Sequence, residues 1–529
     1  MKQNPSLARF QTTEKSRRFG VSPALRGLGK YPLALCTGTL LLTGCTMGPD
    51  YVQPTVAQPA QFIESGPWKQ AEPRDDISKG DWYKTFHDPK LNELEAQATV
   101  SSQTLKAAIA RVSEARDLAR QTEAEFFPTI DFNASGDRQR VSPNDGQLMA
   151  QSPPGAKPNG GLNFNSATVV PFDLSYEVDL WGKMRRAFES AGETAQASVA
   201  DYENVLLDLK AEVATNYFAL RTADAEISVQ SRTIDSYQRN LDLTTGRLKG
   251  GLSTQLDVDQ AEATLTSAQA QLATLRSQRA QLEHAIAVLT GVPPEGFKIA
   301  YHPLDISPPA IPAGLPSDLL ERRPDVAAAE RKCAAQNAQI GVATAAYFPV
   351  VRLTGSTGFD SGDLGMLFNW QSRIWSYGPS IQFPIFEGGQ IAAQIKQAKA
   401  AYEENVADYR ESVLVAFQNV EDSLSSLRYQ AEQQEEQDRA YKAYQSALDL
   451  TNSRYTTGVV SYFDVIQAQN LALSAEQLDV QIKGNRIATT VQLIKALGGG
   501  WADSSITQPN FGNHLARKDN ATAPQVQSL

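Results

Sequence analysis

The chain has 529 residues, of which 41% are hydrophobic and 20% are charged, a balance typical of a folded protein. Its formal net charge is −10 although residues 1–44 are basic, and this acidity argues against nucleic acid as a partner. Four histidines, three cysteines and no zinc-protease, Cys-x-x-Cys, nucleophile-elbow or phosphate-loop motif give no support to an enzyme, a metal site or a cofactor. The length predicts either several domains or one elongated body.

Residues 1–44 have the layout of a signal peptide, which is removed before folding. Basic residues precede the apolar stretch 31–42, which is shorter than the roughly 20 residues that a membrane-spanning helix needs. The tetrapeptide Leu-Thr-Gly-Cys at 42–45 resembles the bacterial lipobox, which implies that Cys45 becomes an acylated N-terminus. Thr46 rather than aspartate follows, and in such lipoproteins this implies sorting to the outer membrane. With Cys36 removed, only Cys333 remains as a thiol, so we expect no intrachain disulfide.

Two stretches of the chain repeat each other at an offset of 207 residues. Val-Ala-Asp-Tyr at 199–202 recurs at 406–409, and Leu-Asp-Leu-Thr at 241–244 recurs at 448–451. We interpret this as an internal two-fold repeat, each copy holding a helix, two strands, a very long helix and a shorter return helix. The predicted segments are an N-terminal extension (45–89), a first repeat (90–300), a second repeat (301–500) and a disordered tail (501–529).

Long helices are predicted by two stretches without proline, 172–292 and 385–508. In the first stretch apolar residues recur at intervals of seven: Leu206, Val213, Leu220, Ile227, Ile234, Leu241 and Leu248. The equivalent positions of the second repeat are apolar or aromatic except for Gln434. This spacing predicts supercoiled helices packed against partners. A helix over about 184–248 would be about 95 to 100 Å long. Glycines at 250, 251 and 458 mark the turns into the return helices.

Strands are predicted between the helices. Residues 172–180 and 375–385 alternate apolar and polar side chains, with weaker partner strands at 129–140 and 350–359. The connections 141–165 and 360–372 are rich in turn-forming residues. Alternation suits a strand with one face toward lipid and the other toward water. Four strands fall short of the about eight in the smallest bacterial barrels, and lipid does not tolerate open edges, so several chains would have to share one barrel. Alternatively, the strands belong to a soluble sandwich and the heptads to a fibrous coiled coil.

The chain resembles the TolC/OprM group of outer-membrane efflux proteins, in its lipoprotein (NodT-like) branch, over nearly all of residues 45–500. The resemblance rests on Cys-Thr-Met-Gly-Pro-Asp-Tyr at 45–51, Trp-Tyr at 82–83 with Asp-Pro at 88–89, Arg-Arg-Pro-Asp at 322–325 and Arg-Tyr-Thr-Thr-Gly at 454–458. It implies a mainly α fold with membrane β: a homotrimer whose twelve-stranded barrel, four strands per chain, continues as a long periplasmic coiled-coil barrel.

The resemblance also implies a periplasmic gate beside the last hairpin turn. Asp464 matches an acidic gate position, Asp257 is its repeat partner, and Tyr455 matches a position that tethers neighbouring hairpins. Three symmetry-related carboxylates near an axis repel one another and favour cations. Alternatively, Asp464 only complements the helix dipole. Val459 and Val460 stand where some relatives have a basic residue, so the identity of the tether is left open.

The implied function is passive conduction of drugs or other small molecules out of the cell. The implied partners are a periplasmic membrane-fusion adaptor, an inner-membrane pump that we expect to be proton-driven, and outer-membrane lipid. The turns are expected to contact the adaptor through Gly251, Gly458, Arg247 and Arg454. Two alternatives remain: a type I protein-secretion duct, and a periplasmic scaffold lipoprotein that conducts nothing.

Overall fold

The computed structural model describes residues 46–56, 81–141, 162–306, 308–309 and 323–499. All described residues belong to one compact unit, which begins at Thr46. The predicted signal peptide, the predicted lipidation site Cys45 and the predicted tail 501–529 lie outside the described residues.

Seven helices and four strands make up the described part of the chain. In order they are α1 (Pro89–Ser101), α2 (Gln103–Ala124), β1 (Thr129–Val141), β2 (Leu162–Val178), α3 (Lys183–Lys249), α4 (Gln255–Leu289), α5 (Pro324–Ala345), β3 (Val350–Ser361), β4 (Arg373–Gln382), α6 (Gln390–Thr456) and α7 (Tyr462–Ala496). Short 3-10 turns occur at Trp82–Phe86, Pro294–Gly296, Leu364–Met366 and Trp370–Ser372. We call α3–α4 hairpin one and α6–α7 hairpin two.

The two hairpins have the same dimensions. α3 and α6 each contain 67 residues, and α4 and α7 each contain 35. Every bound of hairpin two lies 207 residues after the equivalent bound of hairpin one. At 1.5 Å per residue, α3 and α6 are each about 100 Å long, which confirms the predicted long helix. The equal lengths support the inferred internal repeat.

The seven-residue stripes are the buried faces of the long helices. Val213 and Leu220 on α3 and Val413 and Val420 on α6 have no exposed surface, and the polar exception, Gln434, is buried as well. These faces pack against α4 and α7 of the same hairpins and against the shorter helices. Among the residues that the structure describes, no helix is both long enough and apolar enough to cross a membrane.

The largest core cluster joins the N-terminal helices to the long helices. Leu91 and Leu94 of α1 pack, fully buried, with Tyr217 and Phe218 of α3. Asp88 begins α1, because its Oδ1 accepts hydrogen bonds from the first free backbone N–H groups and Pro89 supplies the φ angle of the first helical residue. The Tyr217 hydroxyl donates to Oδ2 of Asp88 at 2.7 Å, so the same carboxylate also fixes α1 against α3.

The four strands form one antiparallel sheet in the order β1-β2-β3-β4. Residues that pair across the four strands form rows, and these rows alternate between apolar and polar side chains, as the sequence predicts. One apolar row is Ile130, Leu174, Gly355 and Tyr377, and the polar row beside it is Asp131, Asp173, Ser356 and Ser376. Ile130 and Tyr377 are largely exposed, as are Phe172, Trp375 and Ile381. β1 and β4 form the two edges, and within the described residues neither has an outer partner strand.

The strand ends differ from the predictions. β2 ends at Val178 rather than 180, because the chain turns at Trp181, whose indole stacks on Phe348 at 4.7 Å and donates to the Pro349 carbonyl at 2.8 Å. β4 ends at Gln382 rather than 385, since Pro384 has no N–H to continue the ladder. β2 also begins at Leu162, within the predicted connection 141–165.

Buried charges hold the segment between the repeats, residues 297–306, against hairpin one. Asp224 has no exposed surface and accepts hydrogen bonds from Arg221 Nη1 (3.3 Å), Arg279 Nε (2.5 Å) and the His302 backbone N–H (3.0 Å). The same two arginines donate to carbonyl oxygens of the segment at 2.7 and 2.8 Å. One carboxylate therefore organises α3, α4 and the segment together.

Candidate functional site

The turns of the two hairpins have the same backbone geometry. Gly251 and Gly458 have φ angles of 73° and 81°, in the left-handed region that favours glycine. In hairpin one, the Leu252 N–H donates to the Arg247 carbonyl at 2.8 Å, and in hairpin two the Val459 N–H donates to the Arg454 carbonyl at 2.9 Å. This is the Schellman pattern that ends a helix. The glycines predicted at the turns are therefore required by the chain reversal itself.

Both predicted gate aspartates lie at the start of a return helix, in a capping box. Asp257 Oδ2 accepts from the Thr254 backbone N–H (2.8 Å), and Asp464 Oδ2 accepts from the Ser461 N–H (2.9 Å) and hydroxyl (2.7 Å). Hydrogen bonds from Thr254 and Ser461 hold the pKa of Asp257 and Asp464, respectively, below the ordinary value. Both carboxylates are therefore ionised at neutral pH. Capping accounts for their positions, and their gate role stays a prediction.

The structure brings together two residues that the sequence assigned to different roles. Arg247 Nη1 donates to the Tyr455 carbonyl at 2.8 Å, and its guanidinium lies 4.5 Å from the centre of the Tyr455 ring. Tyr455 is buried against Tyr462 and Val465 of hairpin two and Ala261 of hairpin one. Arg247, predicted to contact the adaptor, thus links hairpin one to hairpin two close to both turns.

The remaining predicted contact residue and several apolar side chains are exposed at the turns. Arg454, the repeat equivalent of Arg247, is exposed. The four apolar residues are related in pairs by the same offset of 207, and they are Leu252 (74% exposed), Val459 (71%), Leu256 (63%) and Phe463 (54%). Each turn thus presents an equivalent apolar pair to its surroundings.

Above the turns, the two hairpins meet along a seam of polar contacts. Gln477 Nε2 donates to Gln230 Oε1 at 2.9 Å, and the Tyr237 hydroxyl donates to Asn470 Oδ1 at 3.1 Å. In each pair one residue belongs to α3 and the other to α7. Such polar contacts can be replaced by water more readily than an apolar interface can.

The residues that follow the predicted lipidation site form what we call the N-terminal strap, residues 46–56. Its contacts reach α3, α5 and α6: Arg186 to Asp50 (2.8 Å), Asn337 to the Pro49 carbonyl (3.0 Å), Tyr51 to Glu330 (2.8 Å) and Gln53 to Tyr409 (3.2 Å). Burial raises the pKa of Tyr51 and keeps its hydroxyl protonated. The strap is therefore part of the fold from Met47 onward, whose N–H donates to the Trp181 carbonyl at 3.0 Å.

Sequence reasoning missed the link between Arg247 and Tyr455, the polar seam and the strap. The arginine is local to one turn and the tyrosine to the other, 208 residues apart. A glutamine on a helix face carries no sign of its partner. Gln434, the one polar exception in the heptads, belongs to none of these three features and gave no signal for them.

Comparisons with known proteins agree with this fold. The family model for "Outer membrane efflux protein" matches residues 94–292 and 315–499. The toluene efflux pump outer membrane protein TtgI of Pseudomonas putida is 35% identical over 474 residues, which cover 88% of this chain and 97% of TtgI.

Two solved structures are similar over most of their length. The outer-membrane channel OprN is 31% identical, with a TM-score of 0.77 and coverage of 86% of this chain and 100% of OprN. The open state of the Neisseria gonorrhoeae MtrE outer membrane channel is 32% identical, with a TM-score of 0.73 and coverage of 86% and 98%. The chain therefore belongs to the outer membrane efflux protein family, of the TolC/OprM type.

Proposed function

We propose that this chain is the outer-membrane channel of a tripartite efflux system. It passively conducts drugs or other small molecules outward from an inner-membrane pump, which is proton-driven, and a periplasmic membrane-fusion adaptor. The similarity to TtgI, described as an efflux pump outer membrane protein, supports efflux over the alternative of type I protein secretion. Efflux-pump channels are not enzymes, in accord with the absence of catalytic motifs from the sequence.

The four-stranded sheet is the observation that carries the proposal. Its rows alternate between apolar and polar residues, and its exposed apolar side chains include Trp375 and Tyr377. Such a face is costly in water and favourable in lipid. The edges at β1 and β4 must then be closed by other strands, because lipid offers no hydrogen bonds to a free edge. A homotrimer closes them with twelve strands, and it continues below the barrel as a tube of the long helices.

Acylation of Cys45 anchors the protein in the outer membrane, from which the helices extend into the periplasm. The lipobox at 42–45 supports this proposal. The strap supports it too, because the chain is bonded to the fold from Met47 onward, two residues after Cys45 in the sequence.

The gate lies at the turns of the hairpins. Negative charge beside the opening comes from Asp464 and from Asp257 at the equivalent position of hairpin one. Tyr455 is held by Arg247 and links the two hairpins. The adaptor contacts the turns at Gly251 and Gly458 and beside Arg247 and Arg454. The exposed apolar pairs described above give such contacts a hydrophobic component.

Planar-bilayer recording on the purified full-length protein tests the proposal. We expect small cation-selective currents, and we expect Asp464→Ala to increase the conductance and weaken the cation selectivity, because it removes the charges that repel one another at the closed opening. Asp449→Ala, an exposed aspartate on α6, is the matched control and should change neither. A purified protein that carries no current, with or without Asp464→Ala, would favour the scaffold alternative. Crosslinking in intact cells followed by pull-down identifies the adaptor and the pump.

A further inference from the structure

One of the buried differences between the two hairpins is a layer that lies halfway along the return helices. In hairpin two the layer contains Gln434 of α6 with Asp479 and Lys483 of α7, and we call these residues the polar layer. The equivalent positions of the first two in hairpin one hold Ile227 and Leu272. Gln434, Asp479 and Ile227 are all buried, at 7%, 6% and 7% exposure. Two polar residues in one copy thus take the places of two apolar residues in the other.

The polar layer is well connected on one side and incomplete on the other. Gln434 Nε2 donates to Asp479 Oδ1 at 2.7 Å, and Lys483 Nζ donates to Asp479 Oδ2 at 2.6 Å. Lys483 is half-exposed, and Asp438 of α6 lies 4.0 Å from its ammonium group. The other amide atom, Gln434 Oε1, is buried and has no hydrogen-bond partner. The layer therefore contains an unmet acceptor and a charged group that already reaches water.

Bending a helical hairpin separates its two helices locally and admits water. At an apolar layer, water meets hydrocarbon, and the hydrophobic effect opposes the separation. At the polar layer, water replaces protein partners of similar strength, and Gln434 Oε1 gains the hydrogen bond that it lacks. The ion pair of Asp479 with Lys483 lies within α7 and does not join the two helices, so the hydrogen bond from Gln434 to Asp479 is the main polar contact between them at this layer. Hairpin two therefore resists bending less than hairpin one at this level.

We propose that the polar layer is the bending point of hairpin two, and that Gln434 and Asp479 determine which hairpin moves when the channel opens. This inference rests on the proposed function, because the opening in question is that of the proposed channel. Tyr455 lies 21 residues beyond Gln434, about 30 Å along the helix axis. A bend of about 10° at the layer would move the turn by about 5 Å. The seam contacts nearer the turn are two hydrogen bonds, at Gln477 and Asn470, and the ion pair of Arg232 with Glu476, all of them polar contacts that water can replace.

The internal repeat supplies a matched pair of variants for the test. Gln434→Ile with Asp479→Leu gives hairpin two the layer of hairpin one, and Ile227→Gln with Leu272→Asp does the reverse. Spin labels attached to Leu252→Cys and Val459→Cys, one exposed residue on each turn, report the distance between the hairpins in the purified full-length protein. Cys333 is fully buried and does not take the label.

In the parent protein we expect two populations of distances, one with the turns together and one with the turns apart. Gln434→Ile with Asp479→Leu should lower the separated population about tenfold. Ile227→Gln with Leu272→Asp should raise that population. Gln434→Leu alone, which keeps the pair of Asp479 and Lys483, should lower it by less and serves as the measurement if the double variant misfolds. Distance distributions identical to the parent in folded hairpin-two variants would overturn the inference.

Conductance, measured separately, keeps this test distinct from that of the proposed function. A parent protein that carries no current but whose distances respond to the substitutions would refute the channel and retain the bending point. A protein that conducts current but whose label distances do not change with the substitutions would support the channel and refute the bending point.

Discussion

Replacing Asp224 with alanine removes the carboxylate that organises the segment 297–306. The change deletes three hydrogen bonds to the side chain, including one from the His302 backbone, and leaves Arg221 and Arg279 without their shared counter-ion. Asp224 is fully buried, so water cannot fully compensate. Removing one partner of a buried ion pair costs about 3 to 5 kcal/mol. We therefore expect the segment to open locally long before hairpin one unfolds.

Hydrogen exchange of the full-length protein, read by mass spectrometry, measures this opening. Three amides of the segment are held by contacts within the cluster: Ile299 to Glu283 (2.5 Å), His302 to Asp224 (3.0 Å) and Leu304 to the Arg221 carbonyl (3.1 Å). A loss of about 3 kcal/mol in opening free energy accelerates their exchange about 100-fold.

The matched control is Asp208→Ala, another aspartate on α3. Asp208 pairs with Lys495 at 2.8 Å, but both side chains are half-exposed, so the loss should be about 0 to 1 kcal/mol. If exchange in the segment 297–306 were equal in the two variants, the organising role assigned to Asp224 would be wrong.

Three further predictions address burial, helix packing and the link between the hairpins. Burial raises the pKa of Glu95 from 4.5 to about 9, so the folded state keeps a proton that the unfolded state loses, and thermal stability should fall as pH rises through this range. Glu95→Gln should reduce that slope. Gly484→Ala should cost about 1 to 3 kcal/mol, because the new methyl would lie 2.4 Å from the Thr222 hydroxyl oxygen, whereas Gly246→Ala, with open space around it, should stabilise α3 by up to about 1 kcal/mol in thermal unfolding. Arg247→Ala should raise the frequency of channel openings in planar bilayers, since it frees Tyr455, while Lys249→Ala, which removes a nearby exposed charge, should not.

Each of these expectations has a contrary result. A stability profile that keeps its slope in Glu95→Gln would place the titrating group elsewhere. Equal melting temperatures for the two glycine variants would show that α3 and α7 can move apart without penalty at Gly484. Equal opening frequencies for Arg247→Ala and Lys249→Ala would show that the link from Arg247 to Tyr455 does not stabilise the closed state.

The sequence was sufficient for the long helices because their signals are local and repeated. The absence of proline and the heptad of apolar residues located α3 to within about a residue at each end. The glycines at 250 and 251 located the turn, and the structure adds the start of the return helix at Gln255, where Thr254 and Asp257 form a capping box.

Contacts between distant parts of the chain could not be predicted. The hydrogen bond from Arg247 to the Tyr455 carbonyl involves the backbone, which any residue would offer. The seam contact of Gln230 with Gln477 depends on how the hairpins lie side by side, and many exposed glutamines on these helices are equally good candidates by type. Strand ends were missed for the same reason, since the stacking of Trp181 on Phe348 joins residues of different repeats.

The strap constrains the order of events during biogenesis. Gln53 contacts Tyr409, 356 residues later in the chain, and Tyr51 contacts Glu330, 279 residues later. These contacts cannot form until ribosomes have made, and the cell has exported, most of the polypeptide. The residues that leave the cytoplasm first are thus among the last to find their places, and until then they remain accessible, as the proposed processing and acylation of the N-terminus would require.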